Sequence, residues 1–572
     1  MQFRLRIIAI SFFLGFALLL ARLFYWQLIK GEELSEAARS QQELGFSVSA
    51  PRGNILTNDL SWIAARGESW LVFAELPRLK DSIDEVADKL APLFLEEDEK
   101  EGKDALLEEA NRLKTTLSRE EVVWVPLKHN VSPETKEKIE ELEMAGIGFE
   151  YEEKRVYPEA SSAAHLLGFV GKDEQGKNKG YFGVEGYYDL ILSGSPGYVS
   201  RDSDALGLPI LTSDSKVLLA QSGVDLITHL DKAVQLTIEE KLKKAIEVYQ
   251  ASAGSVIVMD PKNGGIYGMA NYPSYDPSEY YKYSDEYFLN PVVSSSFEPG
   301  SVFKIFVMAA ALDAKVIEPE TVCEICSGPL KVDKYYIETW DSKYYPNSTM
   351  TDVIVHSDNV GMAYVGKRLG SGMLYDYLDR FGIGELTKID LQGEMTPHLR
   401  ERDEWKEIDL VTASFGQGVA VTPIQLVKAA SAIANDGVMV TPRVVDKIKV
   451  DNWVEEVKEF QKERVVSKET TDEITAMMAQ AAKEGEAKWT HLRGFKVAGK
   501  TGTAQIPIAG HYDDEKTIAS FIGFAPYDDP EFVMLVTLRE PKSSPWASET
   551  AAPLWYSIAQ DLFLYFGIQP QS

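Results

Sequence analysis

The chain has 572 residues, 45% of them hydrophobic and 26% charged, an ordinary composition for folded protein but too long for one compact core, so two or three domains are expected. A net charge of −29 excludes the basic surface that a nucleic-acid partner requires. That acidity serves solubility and says little about a substrate.

At the N-terminus, Arg4 and Arg6 precede an apolar run from Ile7 to Ile29. Its length suits a bilayer span, with Tyr25 and Trp26 where an interfacial belt belongs. A cleaved signal peptide would be shorter and end in a small-x-small site, whereas aromatics and Gln27 follow this run. The segment 7–29 is therefore read as an uncleaved single-pass membrane anchor. The two arginines put a short tail, 1–6, in the cytoplasm and the rest of the chain outside.

Residues 31–44 read as a polar helical stalk, and 47–56 as extended chain entering a turn. Asp81 to Phe94 and Asp104 to Leu117 carry Leu and Ala at helical spacing among acidic residues, the pattern of amphipathic surface helices. Ser132-Pro-Glu-Thr opens another helix with a cap signal. The Gly- and Tyr-rich segment from Tyr157 to Gly197 contains His165, a lone histidine expected to pack rather than to bind a ligand. Nothing up to here clusters groups for chemistry, so 30–220 is read as a non-catalytic α+β pedestal.

Asp231 to Tyr249 is a strong helix, giving a connecting element at 221–250. The strands Ser255-Val-Ile-Val-Met and Gly265-Ile-Tyr-Gly-Met-Ala pair across Lys262-Asn-Gly-Gly. Ala519 to Ala525 and Phe532 to Leu538 form another hairpin, and a last helix runs from near Thr550 to about Phe566. Strands at both ends with helices between predict one antiparallel sheet flanked by helices over 251–572, an α+β fold. Cys323 and Cys326 form a lone C-x-x-C, too few ligands for zinc. Outside the membrane they are either a structural disulfide or two inert thiols.

Three short segments carry chemistry. Ser301-Val-Phe-Lys304 follows the turn Glu298-Pro299-Gly300 and opens an apolar helix. Ser301 and Lys304 share a helix face one turn apart, and burial of Lys304 lowers its pKa towards that of a base able to activate a serine. Alone, this spacing reads first as a serine cap with a solvated lysine. The second segment is His356-Ser357-Asp358-Asn359, and the third is Lys500-Thr501-Gly502-Thr503. In this order they match the serine β-lactamase and penicillin-binding motif set.

Acyl transfer needs a nucleophile, a proton acceptor, a donor for the leaving amine and an oxyanion hole. Ser301 suits the first role and Lys304 the second. Ser357 suits proton relay, and Asn359 suits binding a substrate amide. Lys500, Thr501 and Thr503 suit a substrate's terminal carboxylate, with Gly502 allowing close backbone approach. The backbone N–H groups of Ser301 and Thr503 suit the oxyanion hole. No metal or cofactor motif is present.

Beyond these motifs the chain resembles a class B penicillin-binding protein, a monofunctional peptidoglycan D,D-transpeptidase. The resemblance includes Arg52-Gly-Asn-Ile-Leu, Ala164 to Gly171, Gly183-Val-Glu-Gly, Phe415-Gly-Gln-Gly and Phe521-Ile-Gly-Phe-Ala-Pro. It implies a transpeptidase domain behind a pedestal of dimerisation type, anchored in a bacterial cytoplasmic membrane, with D-Ala-D-Ala stem peptides as substrate and β-lactams as acylating inhibitors. It also implies a SEDS-type polymerase and divisome proteins as partners, glycan strands being polymerised elsewhere. The segments Ser357-Asp-Asn-Val-Gly and Leu538-Arg-Glu-Pro-Lys are similar to the division type more than the elongation type. Two stretches depart from the family: Thr57-Asn-Asp-Leu in the pedestal motif, and Ser543-Ser-Pro-Trp in place of a Gly-rich loop. The rival readings are a carboxypeptidase or β-lactamase-type hydrolase, and a non-enzymatic sensor or scaffold.

Overall fold

The computed structural model describes residues 2–35, 43–95, 103–119, 122–202, 216–458, 462–508 and 511–571. It divides into two units, Met1–Arg52 with Ser193–Gly223, and Gly53–Leu192 with Val224–Ser572.

The first unit contains the helix Gln2–Phe24, continued by a π-helical turn, Tyr25–Ile29. Together they form the one helix among the described residues long and apolar enough to cross a membrane, and Tyr25 and Trp26 pack edge to face at its end. Residues 31–35 are helical as expected, but Glu43–Val48 is a strand, and 36–42 lie outside the described residues. The stalk is thus not helical throughout. Glu43–Val48, Gly197–Asp202 and Lys216–Leu218 form a three-stranded antiparallel sheet.

In the second unit the two predicted acidic helices are Ile83–Phe94 and Lys103–Leu117. The Ser82 side chain caps the first by accepting from the Glu85 N–H, satisfying a donor the helix leaves free. Their apolar stripes, with Val86, Leu90, Leu113 and Leu117, bury against Val72, Val125 and Leu127. The strands behind them belong to a seven-stranded sheet that runs Trp453–Glu456, Val445–Val450, Asp225–Thr228, Ile55–Leu56, Trp62–Glu75 and Trp124–Val131, with Ile147–Val156 also on Trp62–Glu75. This sheet crosses the boundary expected near 220, because two strands from far along the chain complete it. Their alternation, Val445-Asp-Lys-Ile448-Lys-Val450, carries so much charge that it passes for a loop in sequence.

The departure at Thr57-Asn-Asp-Leu has its own anchoring. Asn58 Nδ2 donates to Asp231 at 3.1 Å, and Tyr565 donates to the same carboxylate oxygen at 2.7 Å. Asp231 also caps the helix Lys232–Tyr249, so pedestal, connecting helix and last helix meet on one side chain.

The remaining chain is built on a five-stranded antiparallel sheet, ordered Ile266–Tyr272, Ala253–Met259, Phe532–Arg539, His511–Ala525 and Ala498–Ile508. Both predicted hairpins are present in it. Because side chains alternate along a strand, Val256 and Val258 face one core while Ile257 and Met259 face another. The first core holds the helices Lys232–Tyr249 and Ala551–Tyr565; the second holds the helix Lys304–Asp313. Lys304 to Leu312 are all buried, so this helix is a core element carrying one lysine at its start. Cys323 and Cys326 are buried and joined as a disulfide, with Cα atoms 5.6 Å apart. That selects the first of the two sequence alternatives. His165 packs edge on to Tyr275, and burial pushes its imidazole down to about 4, so it is the packed side chain expected.

Candidate active site

Ser301 lies in a single 3₁₀ turn, Gly300–Phe303, rather than in the α-helix itself, which begins at Lys304. The turn is held from behind by Phe415-Gly-Gln-Gly. The Gly300 N–H donates to Gly416 O at 3.1 Å, and Gly416 adopts φ +82° where a Cβ would lie 2.1 Å from Gly300 O. No other residue type fits there. In front, a Cβ on Gly502 would meet Val302 at 2.8 Å and Pro299 O at 3.0 Å. Gly502 therefore has the close-approach role expected of it, bringing the edge strand Ala498–Ile508 against the serine turn.

Ser357 and Asn359 come from the junction of two helices, Met350–Val355 and Asn359–Leu369. Asp358 between them is the N-cap of the second, accepting from the Val360 and Gly361 N–H groups at 2.7 and 3.1 Å. Ser357 is buried and left-handed, φ +55°, a conformation that non-glycine residues hold only when their surroundings enforce it.

All three motifs converge. Lys304 Nζ donates to Ser357 O at 2.6 Å and Asn359 Oδ1 at 2.8 Å, with Ser357 Oγ at 3.3 Å. Lys500 Nζ donates to Ser357 Oγ at 2.9 Å and to the Thr501 carbonyl and hydroxyl at 3.1 and 3.2 Å. Ser357 thus sits between two ammonium groups. The Ser301 hydroxyl, by contrast, has no hydrogen-bond partner among the described residues; the expected Ser301–Lys304 pairing is one of neighbourhood, and the lysine's bonds go to the second motif. Burial, then the Lys500 charge, pushes Lys304 down to about 7, against the opposing fields of Glu486 and Asp358. Burial also pushes Lys500 down, while Glu486 opposes this. Thr503 Oγ1 accepts from the Ala547 N–H at 3.0 Å.

The cleft over these groups, about 280 Å³, is lined by Ser301, Asn359 and Thr503 together with residues the sequence did not mark. Trp340 and Trp546 line it, their rings tilted at 59° to each other with centroids 5.1 Å apart. Trp546 lies in the departing Ser543-Ser-Pro-Trp stretch; Trp340 had no signal beyond being an isolated aromatic. Glu486 accepts the Thr501 hydroxyl hydrogen at 2.8 Å, yet Lys-Glu-Gly-Glu-Ala-Lys reads in sequence as a solvated turn. Cys323 and Cys326 do not line this cleft, and no group of metal-ligating side chains occurs among the described residues.

Comparison with known proteins agrees with this architecture. Residues 254–560 match the penicillin binding protein transpeptidase domain, and 47–228 the penicillin-binding protein dimerisation domain. The chain is 32% identical to stage V sporulation protein D of Bacillus subtilis over 566 residues, covering 97% of this chain and 84% of that protein. It is 30% identical to the peptidoglycan D,D-transpeptidase FtsI of Escherichia coli over 452 residues, 78% of this chain and 74% of that one. The structure of penicillin binding protein 2X from Streptococcus thermophilus shares the fold, with a TM-score of 0.74 and 22% identity over 92% of this chain and 80% of that one. The converging motifs, the two matched domains and the near end-to-end likeness place this chain among the class B penicillin-binding proteins, the peptidoglycan D,D-transpeptidases.

Proposed function

We propose that Ser301 is the acylated nucleophile of this transpeptidase, and that the lysine whose pKa is pushed to about 7, Lys304, is its base. Lys304 takes the Ser301 proton as Oγ bonds to the penultimate D-Ala carbonyl of a stem peptide ending D-Ala-D-Ala. The backbone N–H groups of Ser301 and Thr503 receive the oxyanion; the close packing of Gly300 on the Thr503 carbonyl, where a Cβ would lie 3.0 Å away, supports this pairing. As the amide C–N bond breaks, the departing D-Ala amine gains a proton through Ser357, which Lys304 and Lys500 both reach. Asn359 binds a substrate amide, and Lys500, Thr501 and Thr503 bind the terminal carboxylate. An acceptor amine then attacks the ester and releases Ser301, forming the cross-link.

The observation that carries this reading is the meeting of Lys304, Lys500 and Asn359 around Ser357, at the cleft that Ser301 and Asn359 line together. β-Lactams acylate the same serine. In this reading residues 1–6 lie inside, and the pedestal with the catalytic domain, 30–220 and 251–572 joined through 221–250, lies outside the cytoplasmic membrane, as the arginines before the apolar run imply. A SEDS-type polymerase and divisome proteins are the partners. A role in sporulation is the second reading, favoured by the likeness to stage V sporulation protein D over 97% of this chain. Fluorescent penicillin labelling with mass-spectrometric mapping tests the assignment. Label on Ser301, absent from Ser301→Ala, is expected; equal labelling of both proteins sinks it.

A further inference from the structure

Glu486 faces the catalytic cleft, and the mechanism above gives it no task. It sits in the turn that follows the helix Lys468–Glu484. Gly485 lets that turn close on the helix before Ser357, since a Cβ there would lie 2.9 Å from Val355 O. The carboxylate is thereby brought to Thr501, whose hydroxyl donates to it at 2.8 Å. It lines the same cleft as Ser301 and Thr503.

A hydroxyl has one hydrogen to give. Thr501 gives its hydrogen to Glu486 and accepts from Lys500 Nζ at 3.2 Å. Thr503 is set the other way: its oxygen accepts the Ala547 N–H at 3.0 Å, and its own hydrogen has no acceptor among the described residues. Two threonines that the motif presents alike are therefore in different hydrogen-bonding states. The charges point the same way. Lys304 and Lys500 are both buried, and the Glu486 field favours the protonated form of each. In the free enzyme this carboxylate does for Thr501 and Lys500 what the carboxylate of a bound donor peptide does for them.

We infer that Glu486 is a specificity-determining residue, a resident stand-in for the donor's terminal carboxylate: an anionic donor has to take the Thr501 hydroxyl and the Lys500 charge over from it, whereas an uncharged donor does not. The inference rests on the assignment of Thr501, Thr503 and Lys500 to the donor carboxylate. Its consequence is that the cleft discriminates by charge at this end, and that removing the Glu486 charge favours anionic donors selectively. One charge–charge interaction in a partly solvated site corresponds to roughly tenfold in rate.

The test uses the full chain in detergent and two thioester donors, N-benzoyl-D-alanyl-thioglycolate and its uncharged glycolamide. For Glu486→Gln we expect the ratio of kcat/KM for the acid to that for the amide to rise about tenfold, whatever common change the lysines impose on both donors. High salt should shrink the acid's gain, because the interaction removed is Coulombic. Glu486→Ala serves if the glutamine variant does not fold, since it also removes the charge. An equal change with both donors overturns the inference, because a packing role or a general effect on the lysines does not distinguish them. A slower reaction with the acid alone overturns it too, as Glu486 would then act by keeping Lys500 charged. Failure of both donors to acylate the unaltered protein overturns the assignment of Ser301 itself, and the inference with it.

Discussion

Lys304 Nζ lies 2.6 Å from the carbonyl oxygen of Ser357, a residue whose own backbone is left-handed at φ +55°. The two facts belong together. A right-handed residue at 357 would continue the Met350–Val355 helix and aim its carbonyl along that axis; the left-handed turn aims it at the lysine instead. A buried ammonium needs such acceptors, because desolvation without them is prohibitive. The strain at Ser357 and the burial of Lys304 thus hold each other in place, and both hydroxyl and carbonyl of Ser357 stay in the site.

Lys304→Met tests that coupling. The apolar side chain of similar length relieves the desolvation of a buried charge but leaves Ser357 O and Asn359 Oδ1 without their donor. These opposing effects should leave net stability within about 2 kcal/mol of the parent. Penicillin acylation should fall roughly 10²–10⁴-fold, the range for losing a general base. Thermal unfolding and labelling kinetics on the same preparation separate the two effects; retained acylation would remove Lys304 from its role.

The pH dependence follows from the same lysine. Burial and the Lys500 charge bring Lys304 from an ordinary 10.5 to about 7, so acylation should rise with pH through about 7 as the neutral amine becomes the major form. Stability has the same sign. Between about 7 and 10.5 the unfolded chain holds this proton and the folded one does not, so the lysine's destabilising contribution is full below 7 and fades as pH rises through that window. Lys500→Met removes the positive neighbour, and its acid limb should move to higher pH. A stopped-flow acylation profile measures both limbs, and an unmoved limb in Lys500→Met contradicts the electrostatic cause.

Gly416→Ala probes how the serine turn is held. Position 416 has φ +82°, and a Cβ would lie 2.1 Å from Gly300 O. Backbone strain and the clash together should cost at least about 2 kcal/mol and displace Ser301. Penicillin labelling should therefore fall together with the melting temperature. Full labelling of a destabilised protein would show that the turn is positioned by other contacts.

The three motifs that meet at Ser357 were legible because each combines residue types that chemistry restricts: Ser301 before an apolar helix with one lysine, Ser357 and Asn359 around a capping Asp358, and Gly502 where a Cβ collides with Val302 and Pro299. The helix-flanked sheet was legible from strands at both ends of 251–572 with helices between; Ala253–Met259 is buried on both faces, its alternate side chains feeding the two cores. Other features had no local signal. Val445–Val450 joins the pedestal sheet through strand Asp225–Thr228, a pairing across more than two hundred residues that its charged sequence does not announce. Glu486 owes its place to Gly485 against Val355, a contact between helices that no spacing in the chain encodes. The left-handed serine was hidden as well, since Ser-Asp-Asn reads as an ordinary turn.

The pedestal offers a prediction away from the chemistry. Arg155 Nε donates to Glu185 Oε1 at 2.6 Å, with the two side chains 4% and 0% exposed, and Arg155 Nη1 donates to Gly53 O at 2.7 Å. This ion pair ties the strand Ile147–Val156 to the short helix Gly183–Tyr187. Breaking a buried pair from one side strands a charge and costs about 3–5 kcal/mol, whereas replacing both partners with apolar groups is often neutral. Glu185→Gln should therefore lower the melting temperature sharply while leaving the acylation rate at permissive temperature unchanged, since neither residue lines the cleft. Arg155→Met with Glu185→Leu should recover much of that loss. If the double substitution melts no higher than the single one, the other contacts of the two side chains, the Arg155 bond to Gly53 O among them, outweigh charge balance.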